Sequence, residues 1–335
     1  MTTLTVCPGT LQSDYDTYSP LVCKKLFDGK KVSPFLDFDF EKDVHRELIA
    51  SNMERISVSG AQEKMTAVIE EGRIRLAGPD ERSTHLLKPA PLDFDISTRK
   101  QMPANEHLTM QIASQVYGII TAENGLCFDS DNQMVYITKR FDITPQGDKI
   151  PMEDFAALVG RNEQTDGKYF KYEGCYEDIA GAIKRYIPAW PVAMERFFKL
   201  VIFNYIFGNG DDHLKNFSVQ RIDDDFQLTP AYDLMNTDLH IHGDDLGLSG
   251  GLQKSGWKSE VWEQTGHPCQ TDFIAFGKQI GLVPTRIKSI IKEFGSIPQE
   301  VNVLVANSFL NDKMKRNYLR IVKERVNRFV RTAEC

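Results

Sequence analysis

Gly208-Asn209-Gly210-Asp211-Asp212-His213-Leu214-Lys215-Asn216-Phe217-Ser218 is the stretch from which the fold is read outward. Upstream of it, Met194, Phe197, Phe198, Val201, Ile202, Tyr205 and Ile206 recur at helical spacing and form one wide apolar face. A buried helix is therefore expected to run into the stretch. Gly208-Asn209-Gly210 ends that helix, because glycine and asparagine tolerate the left-handed turn at a helix end. Downstream, Phe217 and Val219 alternate, Asp223-Asp224-Asp225 form an acidic turn, and Phe226 and Leu228 alternate again, which predicts a hairpin. Antiparallel strands centred near residue 223 or 224 bring 216 opposite roughly 231. Tyr232-Asp233 is thereby returned to the loop, so that Asp211, Asp212, Asn216 and Asp233 are expected to converge.

An Asp-x-x-x-x-Asn loop met by a returning Asp is the equipment of phosphoryl transfer. One aspartate takes the proton of an attacking hydroxyl, while the amide and the later carboxylate offer hard oxygen ligands to Mg²⁺ on nucleotide phosphates. The step of five from Asp211 to Asn216 equals that in the H-R-D-x-x-x-x-N loop of protein kinases.

The earlier part of the chain reads as sheet. Lys64 to Ile69 and Arg73 to Leu76 flank Glu70-Glu71-Gly72, a hairpin signal, and Thr84 to Lys88 and Met134 to Thr138 read as further strands. Leu108, Ile112, Val116 and Ile119 predict a helix after Pro103 and Asn105. Beyond about residue 143 helices dominate. At the end, Lys313 to Arg331 carries eight basic residues and one acid among Tyr318, Val322, Val326, Phe329 and Val330, an amphipathic helix. Its charged face is expected to be solvated or, failing that, to dock an acidic or tRNA-bearing partner.

The segment 208–218 resembles the catalytic loop of the HipA family of serine/threonine kinase toxins. Ser57-Val58-Ser59-Gly60-Ala61-Gln62-Glu63-Lys64 looks like that family's phosphate loop. Thr84-His85-Leu86-Leu87-Lys88 looks like its ATP-contacting lysine strand, and Lys139-Arg140-Phe141-Asp142 like its hinge. Asn105-Glu106 and Tyr232-Asp233 fall in the family's order. The resemblance implies an α+β, two-lobed, protein-kinase-like fold. A lead-in segment at 1–55 would pack on the N-lobe, a small sheet-bearing N-lobe would span 56–140, and a mainly helical C-lobe 141–335.

Carried over, Asp211 would be the catalytic base and Asn216 and Asp233 the Mg²⁺ ligands. Lys88 would neutralise ATP phosphates, oriented by Glu106. Backbone amides from Ser59 through Gly60, Ala61, Gln62 and Glu63 to Lys64 would cradle phosphate, and Lys139, Arg140 and Phe141 would line the adenine pocket. His213 would bond phosphate or the loop itself, with help from Lys215. ATP and Mg²⁺ are thus the implied cofactors, and Ser57 and Ser59 the implied autophosphorylation sites, where added negative charge would block ATP.

Two departures matter. The phosphate loop has a single glycine, Gly60, instead of G-x-G-x-x-G. About 56 residues precede it, fewer than in full-length family members, so the chain resembles the short form, HipT, of a three-component system. That resemblance implies a small antitoxin standing in for the missing subdomain, a helix-turn-helix DNA-binding antitoxin, and an aminoacyl-tRNA synthetase substrate, the tryptophanyl enzyme being the candidate.

Composition bounds these readings. At 335 residues, 41% apolar and 26% charged, the chain is of globular type. Forty basic against forty-seven acidic side chains, a net charge of −7, disfavour direct DNA binding as the main task. Six scattered cysteines without a C-x-x-C pair read as reduced thiols, and with no signal-peptide pattern a cytoplasmic location is expected. No membrane association is expected.

Plainer readings compete. Asp211 and Asn216 suit turns, Lys88 suits a solvated strand edge, and Glu106 suits the first turn of any helix. Lys139 and Arg140 suit an exposed strand end. A small-molecule kinase, an inactive kinase-like scaffold, and metal-dependent hydrolysis through His240, His242 and Asp211 are the rival functions.

Overall fold

The computed structural model describes residues 3–40, 64–78, 80–91, 97–144 and 146–331. The described chain divides into two compact units. The first takes the residues up to Ile112, Thr121–Lys149 and Asn302–Lys315, and the second takes Ala113–Ile120, Ile150–Val301 and the residues from Arg316. A single cut near residue 140 therefore does not describe the division.

The first unit is built on five antiparallel strands: β1 (Met65–Glu70), β2 (Arg73–Leu76), β3 (His85–Lys88), β4 (Asn124–Phe128) and β5 (Met134–Lys139). Their order is β2-β1-β3-β5-β4. Glu71 and Gly72, both at positive φ (48° and 74°), make the two-residue turn between β1 and β2. The helix expected around Leu108 runs over Met102–Gln115 and stops short of Val116.

Residues 3–40 of the lead-in pack on this sheet. The N-capped helix α1 (Pro20–Leu26) sets Val22 and Leu26 into a core with Met65, Leu87, Cys127 and Ile137. Its surroundings are tied by Tyr18 Oη to the Leu126 carbonyl at 2.6 Å and by an isolated bridge from Phe35 to Phe128. His85 Nε2 faces the Leu26 carbonyl at 2.8 Å and His107 Nε2 the Gly9 carbonyl at 3.2 Å, so each buried ring donates to backbone oxygen.

The second unit is mainly helical. Helix α2 (Tyr176–Tyr186) packs on the apolar helix α3 (Trp190–Ile206), whose buried Phe197 and Phe198 meet the buried Phe276 ring. Three strands, β6 (Met152–Asp154), β7 (Ser218–Ile222) and β8 (Asp225–Leu228), form its sheet in sequence order. Val219 pairs Leu228 and Ile222 pairs Asp225, the register expected for the hairpin, and Asp223 and Asp224 turn it at φ 48° and 67°.

Helix α4 (Asp312–Phe329) carries the C-terminal basic run. Arg325 on it is buried, contrary to a wholly solvated charged face. It hydrogen-bonds Asp238, and its Nη1 also lies 2.7 Å from Asp245. Among the described residues no helix is long and apolar enough to cross a membrane, and the five described cysteines are free thiols.

Candidate active site

Helix α3 ends where Asn209 and Gly210 turn the chain. Gly208 stands at φ +65°, and a Cβ on Gly210 would lie 2.6 Å from the Asp244 carbonyl, so both glycines are dictated by the backbone. Thr237 Oγ1 receives the Gly210 N–H at 2.8 Å and donates to the Gly208 carbonyl at 3.0 Å, pinning the loop from the short 3₁₀ helix Thr237–Leu239.

The two adjacent aspartates then part. Asp211 is exposed, whereas Asp212 is buried. Asp212 accepts from Tyr176 Oη at 2.6 Å, from the Gly247 N–H at 2.9 Å and from Asn204 Nδ2 at 3.1 Å. Burial nevertheless outweighs these donors and pushes its pKa up to about 7. Asp212 is thus an anchor, and Asp211 is the carboxylate presented outward.

Asn216 donates from Nδ2 to the Asp211 carbonyl at 2.9 Å, which turns its Oδ1 away from that bond. The hairpin returns Tyr232 to the same loop: its hydroxyl lies 2.6 Å from Ser218 Oγ and donates to the Lys215 carbonyl at 2.8 Å. Asp233 follows at φ +56°, a conformation sparsely populated by non-glycine residues and often retained at functional sites. Its charge acts on His213.

His213 is buried, and its pKa falls to about 4, chiefly by desolvation, against the pull of Asp211 and Asp233. It is therefore a neutral hydrogen-bonding group. Its Nδ1 is buried with no hydrogen-bond partner among the described residues. Lys215 lies 3.2 Å from Asp154 and over the Phe170 ring.

In the first unit Lys88 Nζ lies 2.6 Å from Glu106 Oε1, with side-chain exposures of 5% and 3%. The solvated-edge reading of Lys88 is thereby excluded. Lys139 pairs with Asp28 at 2.5 Å, and its N–H donates to the Glu123 carbonyl. Arg140 chelates Asp142 (3.0 and 2.7 Å), donates to Ser83 Oγ at 2.7 Å, and gives its N–H to the Thr84 carbonyl. Both side chains and both amides of this expected hinge are therefore engaged within the unit. Ser57, Ser59, Gly60, Ala61, Gln62 and Glu63 lie outside the described residues, and Lys64 directly precedes β1.

Sequence reasoning missed Tyr172, whose hydroxyl donates to Asp211 Oδ1 at 2.6 Å. Nothing in the sequence links two residues thirty-nine apart on different elements.

An Asn–Asp ligand pair suits Mg²⁺, which keeps several waters and shares its shell with phosphates instead of using an all-protein cage. Asn216 fits, with its amide nitrogen committed elsewhere. His213, with an orphaned buried nitrogen, fits a phosphate-bearing ligand. Among the described residues no cluster of three His, Cys, Asp or Glu is present, and Asp245 is held by Arg325 and His267. The hydrolase reading through His240 and His242 gains no support from that arrangement.

A buried lysine–glutamate pair in the first unit and, in the second, an Asp-x-x-x-x-Asn loop followed by a returning hairpin are each features of kinase-like folds. Residues 56–301 match the HipA-like C-terminal domain, and the chain belongs to that family. A Haemophilus influenzae protein named "Putative kinase" is 24% identical over 303 residues, covering 85% of this chain and 84% of that one. "Putative kinase Y4mE" of Sinorhizobium fredii is 29% identical over 194 residues, 55% of this chain and 43% of that protein. Among solved structures, Shewanella oneidensis HipA, in complex with HipB and operator DNA, superposes with a TM-score of 0.60 at 18% identity. That match covers 82% of this chain and 65% of the HipA chain. The Helicobacter pylori proinflammatory kinase CtkA gives 0.50 at 15% identity, covering 78% and 93%. The fold is the two-lobed, kinase-like α+β fold, and the chain spans under two-thirds of the Shewanella HipA chain and under half of the Sinorhizobium protein.

Proposed function

We propose that this chain is an ATP- and Mg²⁺-dependent serine/threonine protein kinase acting as the toxin of a toxin–antitoxin system. The observation that carries the reading is the buried Lys88–Glu106 ion pair. An ion pair withdrawn from water is a poor source of stability, and its established use in kinases is to hold a lysine ready for nucleotide phosphates.

Asp211 accepts the acceptor hydroxyl's proton as the acceptor oxygen bonds to the γ-phosphorus of ATP. The bond from that phosphorus to the β-phosphate bridging oxygen breaks, and its electron pair leaves with ADP. Bound Mg²⁺ would neutralise phosphate charge, held by Asn216 Oδ1 and the Asp233 carboxylate. Lys88, fixed by Glu106, adds positive charge on the phosphates, and His213 Nδ1 and Lys215 add hydrogen bonds. Lys64 and the 59–63 backbone would cradle phosphate. Phe141 would wall the adenine, and Lys139 and Arg140 contribute by shaping that wall, since their own charges are paired.

The target proposed is an aminoacyl-tRNA synthetase, with the tryptophanyl enzyme first, and modification would halt translation. Ser57 and Ser59 are the proposed sites of self-labelling. Family membership, and the HipB–operator complex of the Shewanella structure, support a DNA-binding antitoxin partner; a small antitoxin in place of the missing subdomain is proposed beside it. The test is incubation of the purified chain with γ-labelled ATP and purified tryptophanyl-tRNA synthetase, with a bacterial lysate in parallel. Label on the synthetase supports the target assignment, and label confined to other lysate proteins contradicts it.

A further inference from the structure

We propose that Tyr172 is a positioning residue for Asp211, an assignment that rests on the kinase reading above. Its hydroxyl donates to Asp211 Oδ1 at 2.6 Å, the length of a charge-assisted O–H···O⁻ bond. The phenol is itself held on several sides. It closes the 3₁₀ turn Phe170–Tyr172, its ring meets His213 edge-on at 5.2 Å, and the Lys171 ammonium sits 4.9 Å over its face. Its carbonyl receives the Ser249 N–H at 2.9 Å. Burial, reinforced by Asp211, pushes the phenol's pKa up, so it stays a donor under physiological conditions.

An exposed aspartate otherwise samples several rotamers, and a general base must be held within a fraction of an ångström of its working geometry. Here the backbone of Asp211 is fixed by Asn216 and His213, whose N–H donates to the Asp211 carbonyl. Tyr172 supplies what those contacts leave open, the orientation of the carboxylate itself. With Oδ1 taken by Tyr172, Oδ2 is the oxygen turned to an acceptor hydroxyl. Tyr172 touches neither phosphate nor acceptor in this scheme and acts through Asp211.

The test compares the parent full-length chain with Tyr172→Phe, which keeps the ring and its packing but lacks the donor. Steady-state ATP turnover is followed as labelled phosphate released to water plus label incorporated into the chain itself. Loss of a hydrogen bond to a charged group is expected to lower kcat about 10- to 100-fold. The KM for ATP should stay within about twofold, because ground-state nucleotide contacts are untouched. The melting temperature should hold. An unchanged or raised kcat, or a loss expressed in KM instead, overturns the assignment. A parent without ATP turnover, or an Asp211→Asn variant as fast as the parent, overturns the kinase reading and this assignment together. Tyr172→Phe matching an active parent overturns the assignment alone.

Discussion

Lys88 Nζ lies 2.6 Å from Glu106 Oε1 inside the sheet-bearing unit, one partner at the end of strand β3 and the other in the first turns of the helix Met102–Gln115. Breaking such a pair by removing one partner leaves an uncompensated buried charge. Lys88→Met or Glu106→Gln should therefore cost about 3–5 kcal/mol in urea unfolding. The double variant Lys88→Met/Glu106→Leu should recover most of that loss while remaining unable to turn over ATP. A double variant that keeps turnover would detach the pair from catalysis.

Asp212 offers a second handle. A Cβ on Gly247 would stand 2.5 Å from Asp212 Oδ1 and 2.7 Å from the Asp212 nitrogen. Backbone must then shift, so Gly247→Ala should destabilise by about 1–3 kcal/mol and slow ATP turnover by moving the loop that presents Asp211. Calorimetry and a turnover assay on one sample read both effects, and a variant normal in both would contradict the anchoring role.

Acid should weaken the fold. Burial lowers the pKa values of His85 and His107 to about 4, so both rings stay neutral when folded but take up protons near pH 6.5 when unfolded. The unfolded state binds more protons between these values, so their contribution is whole above about pH 6.5 and is lost as pH falls toward about 4. Asp212, raised to about 7, opposes this, its contribution declining as pH rises from the ordinary carboxylate range to 7. His213 and His240, also lowered to about 4 by burial, act in the same sense, and the four histidines outnumber it in that window. Urea midpoints measured between pH 7 and 4.5 should fall with pH, and less so in His107→Gln.

The hairpin turn can be improved without touching the site. Asp223 and Asp224 both sit at positive φ between the paired residues Ile222 and Asp225, a geometry that favours Asn-Gly. Asp223→Asn with Asp224→Gly should raise stability by about 0.5–1 kcal/mol and leave turnover unchanged. A loss of stability on thermal melting would show that the ion pair of Asp224 with Arg221 outweighs the backbone preference of the turn.

Much of this arrangement is legible in the chain because its signals are local. The face from Met194 to Ile206 specifies helix α3, and two alternating runs around Asp223-Asp224 fix the pairing of Val219 with Leu228. Strand β4 escapes notice because all five of its residues are buried, which erases alternation, and β6 is short and polar. Residues 3–40 of the lead-in look aperiodic because, apart from the short helix α1, they lack regular structure where they pack on the sheet. What pairs at long range is not legible: Lys139 with Asp28, Arg325 with Asp238, and Tyr172 with Asp211 each join residues on separate elements. Composition marks such side chains as exposed charges or spare aromatics, and folding alone supplies the partner.

In the proposed reaction Asp211 serves phosphoryl transfer from ATP. The decisive experiment incubates the purified chain with γ-labelled ATP and Mg²⁺ and compares the parent with Asp211→Asn and Asp233→Asn. Label on protein is expected with the parent and its loss in both variants, with folding preserved. Label undiminished in Asp211→Asn, or no label from a folded parent with ATP, Mg²⁺ and lysate supplied, would contradict it.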